Sequence, residues 1–167
     1  MVNELKQILA TYPAPVPKNR RKQDSPQALK VSSPKIANRS LRITAQVERK
    51  SDQGVILAQG GKEHGYAVHV LDGMLAFDVR VRGEVTRLKL DAQLPKRFKF
   101  VAELSASEMS LALNGSNPSV CKSPGLIPVQ PKDELSLGED IQTAAGNYAA
   151  PNPLDGQVLK FNIQTER

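Results

Sequence analysis

The stretch GYAVHVLDGMLAFDVRV, residues 65–81, decides the fold class of this chain. On both sides of the Asp72-Gly73 pair, every second residue is apolar: Tyr66, Val68, Val70, Leu75, Phe77, Val79 and Val81. A period of two is typical of β-strands that bury one face. Asp-Gly favours the type I′ turn of a tight hairpin, because both residues tolerate positive φ. The stretch therefore predicts two antiparallel strands joined by a hairpin.

The same period of two continues on both sides of this hairpin. Apolar and polar residues alternate over 41–47, 98–104, 109–113 and 159–163, whereas the run 54–58 is apolar throughout and indicates a more central strand. Asn-Gly at 114–115 predicts a second hairpin. The many short strands show no helical period between them. We therefore expect an all-β fold over residues 40–167, a jelly-roll sandwich of two antiparallel sheets.

The first 39 residues have a different character. Val2, Leu5, Ile8 and Leu9 follow the three- and four-residue spacing of a helix, which predicts a short amphipathic helix over 1–12. Alternate prolines and a basic cluster follow, and few apolar residues are present to offset the entropy of ordering them. We interpret residues 13–39 as a basic, Pro- and Ser-rich linker.

The charge distribution argues against a nucleic-acid partner. The formal net charge is +6, but residues 1–40 hold 8 Lys and Arg against 2 acidic residues, and the remainder holds 15 of each. The expected sandwich is therefore neutral and offers no basic surface to a phosphate backbone. No apolar run is long enough for a membrane span, and no signal peptide is visible, so any export is expected to be directed from upstream. A single cysteine, Cys121, excludes an internal disulfide.

A set of motifs in a fixed order gives a family resemblance. The motifs are GVILAQGGKEHGY (54–66), DG (72–73), PGLIPVQP (124–131), LSLG (135–138), GNYAAP (146–151) and LDG (154–156). Together they resemble the laminin-G-like, concanavalin-A-like domain at the C-terminus of some bacterial arylsulfatases, over roughly Leu41 to Ile163. The N-terminal segment is also similar to the last helix of a sulfatase catalytic domain.

The resemblance implies a sandwich in an enzyme context, with a parent sulfatase that is periplasmic or secreted. A sulfatase nucleophile, however, needs a Cys or Ser in the pattern C/S-x-P-x-R. Cys121 is followed by Lys, Ser and only then Pro124, so this pattern is missing. We therefore expect no catalytic residues, and a C-terminal accessory module that either contacts carbohydrate or stabilises the catalytic domain. Its expected partners are a sulfatase-type catalytic domain, in cis or in trans, and sulfated polysaccharide.

Five residues are candidates for ligand binding. His64 lies in a glycine-rich turn that exposes it for hydrogen bonding, and His69 is expected opposite the apolar strand face, lining a groove or facing solvent. Arg80 and Arg82 are expected on the same strand face as Asp78, where they either bind sulfate or carboxylate or form an ordinary charged face with cross-strand partners such as Arg87 or Glu84. The fifth candidate, Tyr148, either stacks on a sugar ring or anchors a loop.

No cofactor is expected from the sequence itself. Laminin-G-like domains often hold calcium at loop carboxylates, and the resemblance offers candidates in Asp133, Glu134, Glu139, Asp140 and Asp155, although no fixed ligand spacing is present. Two other functions stay open. A glucanase-type hydrolase needs paired carboxylates on one face, whereas the strand acids Glu48, Asp78 and Glu103 are scattered singly. A protein-interaction module would dock through a sheet face or the loop 124–131.

Overall fold

The computed structural model describes residues 33–141 and 143–167, so the predicted helix over 1–12 and most of the linker lie outside the described residues. Within these two ranges, no helix is long and apolar enough to cross a membrane. The described chain forms ten strands: β1 (Ser40–Arg49), β2 (Gln53–Gly60), β3 (Gly65–Leu71), β4 (Met74–Val81), β5 (Glu84–Lys89), β6 (Arg97–Leu104), β7 (Glu108–Leu113), β8 (Ser119–Lys122), β9 (Ser136–Leu137) and β10 (Gly156–Glu166).

The strands form two five-stranded antiparallel sheets, which confirms the predicted all-β sandwich. The β1 sheet has the order β10-β1-β6-β7-β8, and the β3 sheet has the order β5-β4-β3-β2-β9. The Asp72-Gly73 turn joins β3 to β4 with positive φ at both residues (52° and 79°), as the hairpin prediction requires.

The core lies between the two sheets and follows the alternation in the sequence. In β1 the side chains of Leu41, Ile43, Ala45 and Val47 are all buried. They pack in one cluster with the inward residues of the β3 sheet, including Tyr66, Val68, Val70, Leu75 and Phe77. Burial of this apolar surface is the main stabilising contribution to the sandwich.

Strand β2 is buried on both of its faces. Its pairing with β3 shifts register between Val55 and Leu57, so that Ile56 and Leu57 both join the main core. Val55 and Ala58 instead form a second small apolar cluster on the other side of the β3 sheet. The continuous apolar run 54–58 is therefore explained by cover on both sides of the sheet.

The last strand, β10, carries a register irregularity that the alternation did not predict. The register of its pairing with β1 shifts between Gln46, which pairs with Lys160, and Val47, which pairs with Val158. Leu159 therefore has no partner residue in β1. Val158, rather than Leu159, therefore packs against the core with Phe161 and Ile163.

The sandwich begins before the predicted boundary at residue 40. Ile36 is fully buried in the main core, and its backbone N–H donates to Gln130 Oε1 at 2.8 Å. The carbonyl of Pro34 accepts hydrogen bonds from Gln59 and Gln130. Residues 33–39 were assigned to the linker, but these contacts tie them to the sandwich.

Candidate functional site

The outer face of the β3 sheet is covered by the chain's own segment 138–141 and 143–152, called here the covering segment. Its ends are held by backbone hydrogen bonds: Gly138 N–H donates to Ile56 O at 2.7 Å, and Val55 N–H donates to Asn152 O at 2.8 Å. Ala145 lies fully buried against the sheet in the second apolar cluster. The polar side chains of His69 and Asp78 on this face are therefore buried between the sheet and the segment.

A buried ion pair lies at the centre of the enclosed face. Asp78 of β4 is fully buried, and Arg87 of β5 donates Nε to Oδ1 at 2.8 Å and Nη2 to Oδ2 at 2.9 Å. The pair is cross-strand, because Asp78 lies directly opposite Arg87 in the β4–β5 register. The backbone N–H of Asn147 also donates to Asp78 Oδ2 at 2.9 Å, which joins the covering segment to the pair.

The ion pair is held in its charged form. Burial alone raises the pKa of Asp78, but hydrogen bonds from Arg87, His69 and Asn147 outweigh burial and bring the pKa well below its usual range. The hydrogen bonds to Asp78 raise the pKa of Arg87, although its partial burial opposes this. A carboxylate held in this way has its acceptor positions filled by the protein itself.

His69 of β3 completes the buried cluster. Its side chain is only 1% exposed, so it neither faces solvent nor lines an open groove, because the covering segment closes over it. Nε2 lies 3.0 Å from Asp78 Oδ2, and a carboxylate only accepts hydrogen bonds, so Nε2–H is the donor. Nδ1 is buried without a hydrogen-bond partner among residues 33–141 and 143–167.

Tyr148 is a partly buried anchor of the covering segment. Its ring meets the His69 ring edge to face, with centroids 4.9 Å apart. Its hydroxyl donates to Asp140 Oδ2 at 2.5 Å, and the same oxygen accepts from Ala145 N–H at 2.8 Å. Burial, followed by the negative charge of Asp140, raises the pKa of Tyr148, so the phenol stays protonated. Burial also raises the pKa of Asp140.

The guanidinium of Arg80 is committed to backbone carbonyls. It donates to Ala145 O at 3.3 Å, to Gly83 O at 2.9 Å and to Gly146 O at 2.9 Å. Arg80 does share a strand face with Asp78, as expected, but its donors fasten the covering segment and the β4–β5 turn to the sheet.

Arg82 and His64 lie together in two neighbouring turns at one end of the strands of the β3 sheet. Strand β4 ends at Val81, and Arg82 and Gly83 form the turn to β5, with φ of 54° and 84°. Arg82 therefore does not lie on the strand face that Asp78 occupies, which corrects the sequence interpretation. The backbone N–H of Arg82 donates to Nδ1 of His64 at 3.3 Å, so the half-exposed His64 pairs with this turn.

An open recess lies on the opposite side of the sandwich, on the outer face of the β1 sheet. It has a volume of about 450 Å³, within the range of small-molecule sites. It is lined by β1, β6, the edge strand β10 and the β7–β8 turn: Thr44, Ala45, Gln46, Lys99, Phe100, Val101, Gly115, Lys160, Phe161 and Asn162. No covering segment is described over this face.

The register brings two lysines to either side of one glutamine in this recess. Gln46 of β1 pairs with Lys99 of β6 and with Lys160 of β10, and all three side chains are exposed on the outer face. Since adjacent strands are about 4.8 Å apart, the two lysines start about 10 Å from one another. Cationic and amide groups across such a gap can hold an acidic or hydroxyl-rich small molecule.

The carboxylates of this face do not fit the acid pair of a glycoside hydrolase. Glu48 is ion-paired to Arg97 at 3.1 Å, and Glu103 to Arg42 at 2.7 Å. Glu103 lies opposite Arg42, six residues along β1 from Glu48, so the two carboxylates are about 20 Å apart along the sheet. An acid pair for glycoside hydrolysis needs a separation of about 5–10 Å.

The carboxylates considered for calcium are used in local contacts or dispersed. Asp133 Oδ2 accepts from the Thr143 hydroxyl at 2.7 Å, and Asp140 accepts from Tyr148 and Ala145. Within the described ranges, no group of three or more His, Cys, Asp or Glu side chains is placed to hold a metal ion.

Sequence reasoning did not single out Lys99, Lys160 or Gln46. Lys99 stands between the inward Phe98 and Phe100, and Lys160 stands directly before the inward Phe161, so their exposure follows from the alternation. The proximity of the two lysines to Gln46 does not follow from the alternation. The strands β6, β1 and β10 are distant in sequence, and only the strand order of the sheet brings them together.

The sequence matches no protein-family model and no curated protein. The structure is similar to domains LG4-5 of the mouse laminin α1 chain, with a TM-score of 0.64 and 11% identity, over 89% of this chain and 48% of the laminin fragment. This chain therefore spans about half the length of that fragment.

Two further solved structures share the fold. The CBM40 of the Ruminococcus gnavus IT-sialidase matches with a TM-score of 0.57 and 13% identity, over 78% of this chain and 77% of that one. The binding domain of botulinum neurotoxin serotype D matches with a TM-score of 0.58 and 13% identity, over 80% and 34% of the two chains. At such identities the likeness shows the fold alone, a laminin-G-like jelly roll.

Proposed function

We propose that this chain is a non-catalytic carbohydrate-binding module that uses the recess on the β1 sheet. The observation that carries the proposal is the open volume of about 450 Å³ on a sheet face. Its lining is mainly apolar and includes the hydroxyl, amide and ammonium groups of Thr44, Gln46, Lys99, Lys160 and Asn162. These groups match the hydrogen-bonding character of a sugar, and strands hold them in fixed positions.

The fold relatives support this assignment. The CBM40 structure is described as bound to α2,6-sialyllactose. A botulinum neurotoxin type C structure, with a TM-score of 0.54 and 11% identity to this chain, is described as dependent on two ganglioside molecules for cell entry. The jelly roll therefore serves as a glycan-binding scaffold in proteins of similar architecture, although fold likeness does not transfer a site.

The ligand-binding residues that were predicted from the sequence would have to bind a glycan in another way. His69 is enclosed beneath the covering segment, Arg80 is bonded to the segment's backbone, and Tyr148 is part of the segment and is bonded to Asp140. A ligand role for these residues would require the segment to leave the β3 sheet. His64 and Arg82 lie in the β2–β3 and β4–β5 turns, at one end of the strands of this sheet. The recess needs no such rearrangement, and we therefore place the site there.

The wider context of the module is also a proposal. The ordered motif set supports an accessory role beside a sulfatase-type catalytic domain. A docking role for the loop 124–131 is favoured by Val129, which is 52% exposed while the neighbouring Ile127 is fully buried and holds the loop in place. Size-exclusion chromatography of this chain with a sulfatase catalytic domain tests the accessory role and the docking role together. Co-elution of the two proteins supports docking, and independent elution contradicts docking.

Affinity electrophoresis of the full chain tests glycan binding. Retardation in gels that contain neutral or acidic polysaccharides supports the proposal. Gln46→Trp fills the recess and is expected to abolish retardation, whereas Gln93→Trp, at an exposed loop position, is the matched control. Unretarded migration of the wild type in every gel would overturn the proposal.

A further inference from the structure

We infer that the recess selects anionic glycans, sugars that carry a carboxylate or a sulfate, and that Lys99 and Lys160 are the groups that hold the acid. This inference rests on the proposed function and adds the ligand class. It is carried by the pattern of charges across the outer face of the β1 sheet.

The two rows that flank the recess are internally neutral. At one end, Glu48 is paired to Arg97 at 3.1 Å and accepts from Gln157 at 3.3 Å. At the other end, Arg42 is paired to Glu103 at 2.7 Å. In each row a cation and a carboxylate therefore neutralise one another, and neither row adds net charge to the recess.

The central row has positive charge without a carboxylate. Gln46 stands between its register partners Lys99 and Lys160, and neither lysine forms an ion pair with any residue in 33–141 or 143–167. A glutamine, rather than a glutamate, separates the two cations. The row therefore carries a charge of +2, and an acidic group is the ligand feature that balances it.

The next row supplies a surface for the uncharged part of a sugar. Thr44 pairs with Val101 of β6 and with Asn162 of β10. Its hydroxyl and the Asn162 amide can bond sugar hydroxyls, and Val101 offers apolar contact to the C–H groups of the ring. A single acidic sugar unit of an oligosaccharide thus fits the recess. Its acidic group lies at the lysine row, and its ring lies at the neighbouring row of Thr44, Val101 and Asn162.

The same pattern disfavours nucleic acid. A phosphate backbone is held by many cations along its path. Here the positive charge is confined to one row, and each flanking row exposes a carboxylate, Glu48 on one side and Glu103 on the other. The geometry fits one or two acidic groups rather than a continuous polyanion.

Isothermal titration of the full chain with three small probes tests the ligand class: lactose, 3′-sialyllactose and lactose 6-sulfate. Both acidic probes carry a negative charge, and comparing their affinities shows whether the recess prefers a carboxylate or a sulfate. The double variant Lys99→Gln/Lys160→Gln removes the charged row. Lys89→Gln/Lys122→Gln makes the same change of net charge at exposed positions outside the recess and is the control.

We expect at least one acidic probe to bind about tenfold more tightly than lactose, and the recess double variant to lose about that factor while the control stays within about twofold. Equal affinity for lactose and both acidic probes, or an unchanged recess variant, would overturn the anionic inference while leaving glycan binding intact. Binding of no probe, together with unretarded migration on every polysaccharide, would overturn the proposed function as well. Thermal unfolding of each variant confirms that it folds.

Discussion

The carboxylate of Asp78 receives two parallel hydrogen bonds from the guanidinium of Arg87, at 2.8 and 2.9 Å, beneath a segment of the same chain. The pair joins β4 to β5, and the amide of Asn147 joins it to the covering segment. One face of the sandwich is thereby filled by the protein itself. The opposite face, on the β1 sheet, carries the open recess.

Loss of Asp78 is expected to destabilise the fold far more than loss of an exposed ion pair. Asp78→Asn leaves the partly buried Arg87 without a counter-charge, at a cost of roughly 3 kcal/mol. Arg42→Gln breaks the exposed pair with Glu103 and costs less than about 1 kcal/mol. Urea unfolding of both variants measures the difference. Equal costs would contradict a structural role for the buried pair.

The buried carboxylate also predicts how stability depends on acid. Because the pKa of Asp78 is lower in the folded than in the unfolded protein, its stabilising contribution is present above the unfolded value, about 4. The contribution is lost as the pH falls below that value toward the folded pKa. Wild type should therefore lose more stability than Asp78→Asn between about pH 5 and about pH 2. Parallel losses in both proteins would refute this assignment.

Asp140 is expected to show the opposite sign. Burial raises its pKa in the folded protein, so its contribution is present below the unfolded value and is lost as the pH rises through the folded pKa. Asp140→Asn keeps an oxygen that accepts from Tyr148 and Ala145 but carries no charge. We expect this variant to match or exceed wild-type stability at neutral pH and to lose any advantage in acid. Marked destabilisation at neutral pH would contradict the account.

Gly146 tests how closely the covering segment approaches the buried pair. A Cβ at this position would lie 2.6 Å from Tyr148 Cε2 and 2.7 Å from Asp78 Oδ2. Gly146→Ala should therefore cost about 1–3 kcal/mol and raise amide hydrogen exchange across 143–152. At Gly125 an added Cβ meets nothing within 4 Å, so Gly125→Ala reports only the strain of its positive φ. Normal exchange in Gly146→Ala would exclude tight apposition.

Much of the fold could be predicted because its signals are local. Alternation identified the strands, and Asp72-Gly73 identified the central hairpin. The start of the sandwich was misplaced because residues 33–39 show no period; their burial depends on Ile36 entering a core that distant strands build. Leu159 was counted among the inward residues of β10, because a register shift cannot be recognised from the alternation of apolar and polar residues.

The site was harder to predict than the fold. The pairing of Asp78 with Arg87 across β4 and β5 follows once the Arg82-Gly83 turn is known. That turn was not predicted, because arginine is not a usual residue at a turn position with positive φ. Burial of His69 required knowledge that a segment some 70 residues later folds back over it. The row of Lys99, Gln46 and Lys160 depends on the order of three strands, which no local pattern encodes.

The most direct test of the central claim is a two-dimensional NMR titration of the isotopically labelled chain with an acidic oligosaccharide. If the β1 sheet carries the site, amide shifts should change around residues 44–46, 99–101 and 160–162, and the covering segment should stay unchanged. Shifts confined to 143–152 or to the turn 82–83, with none on the β1 sheet, would contradict the account.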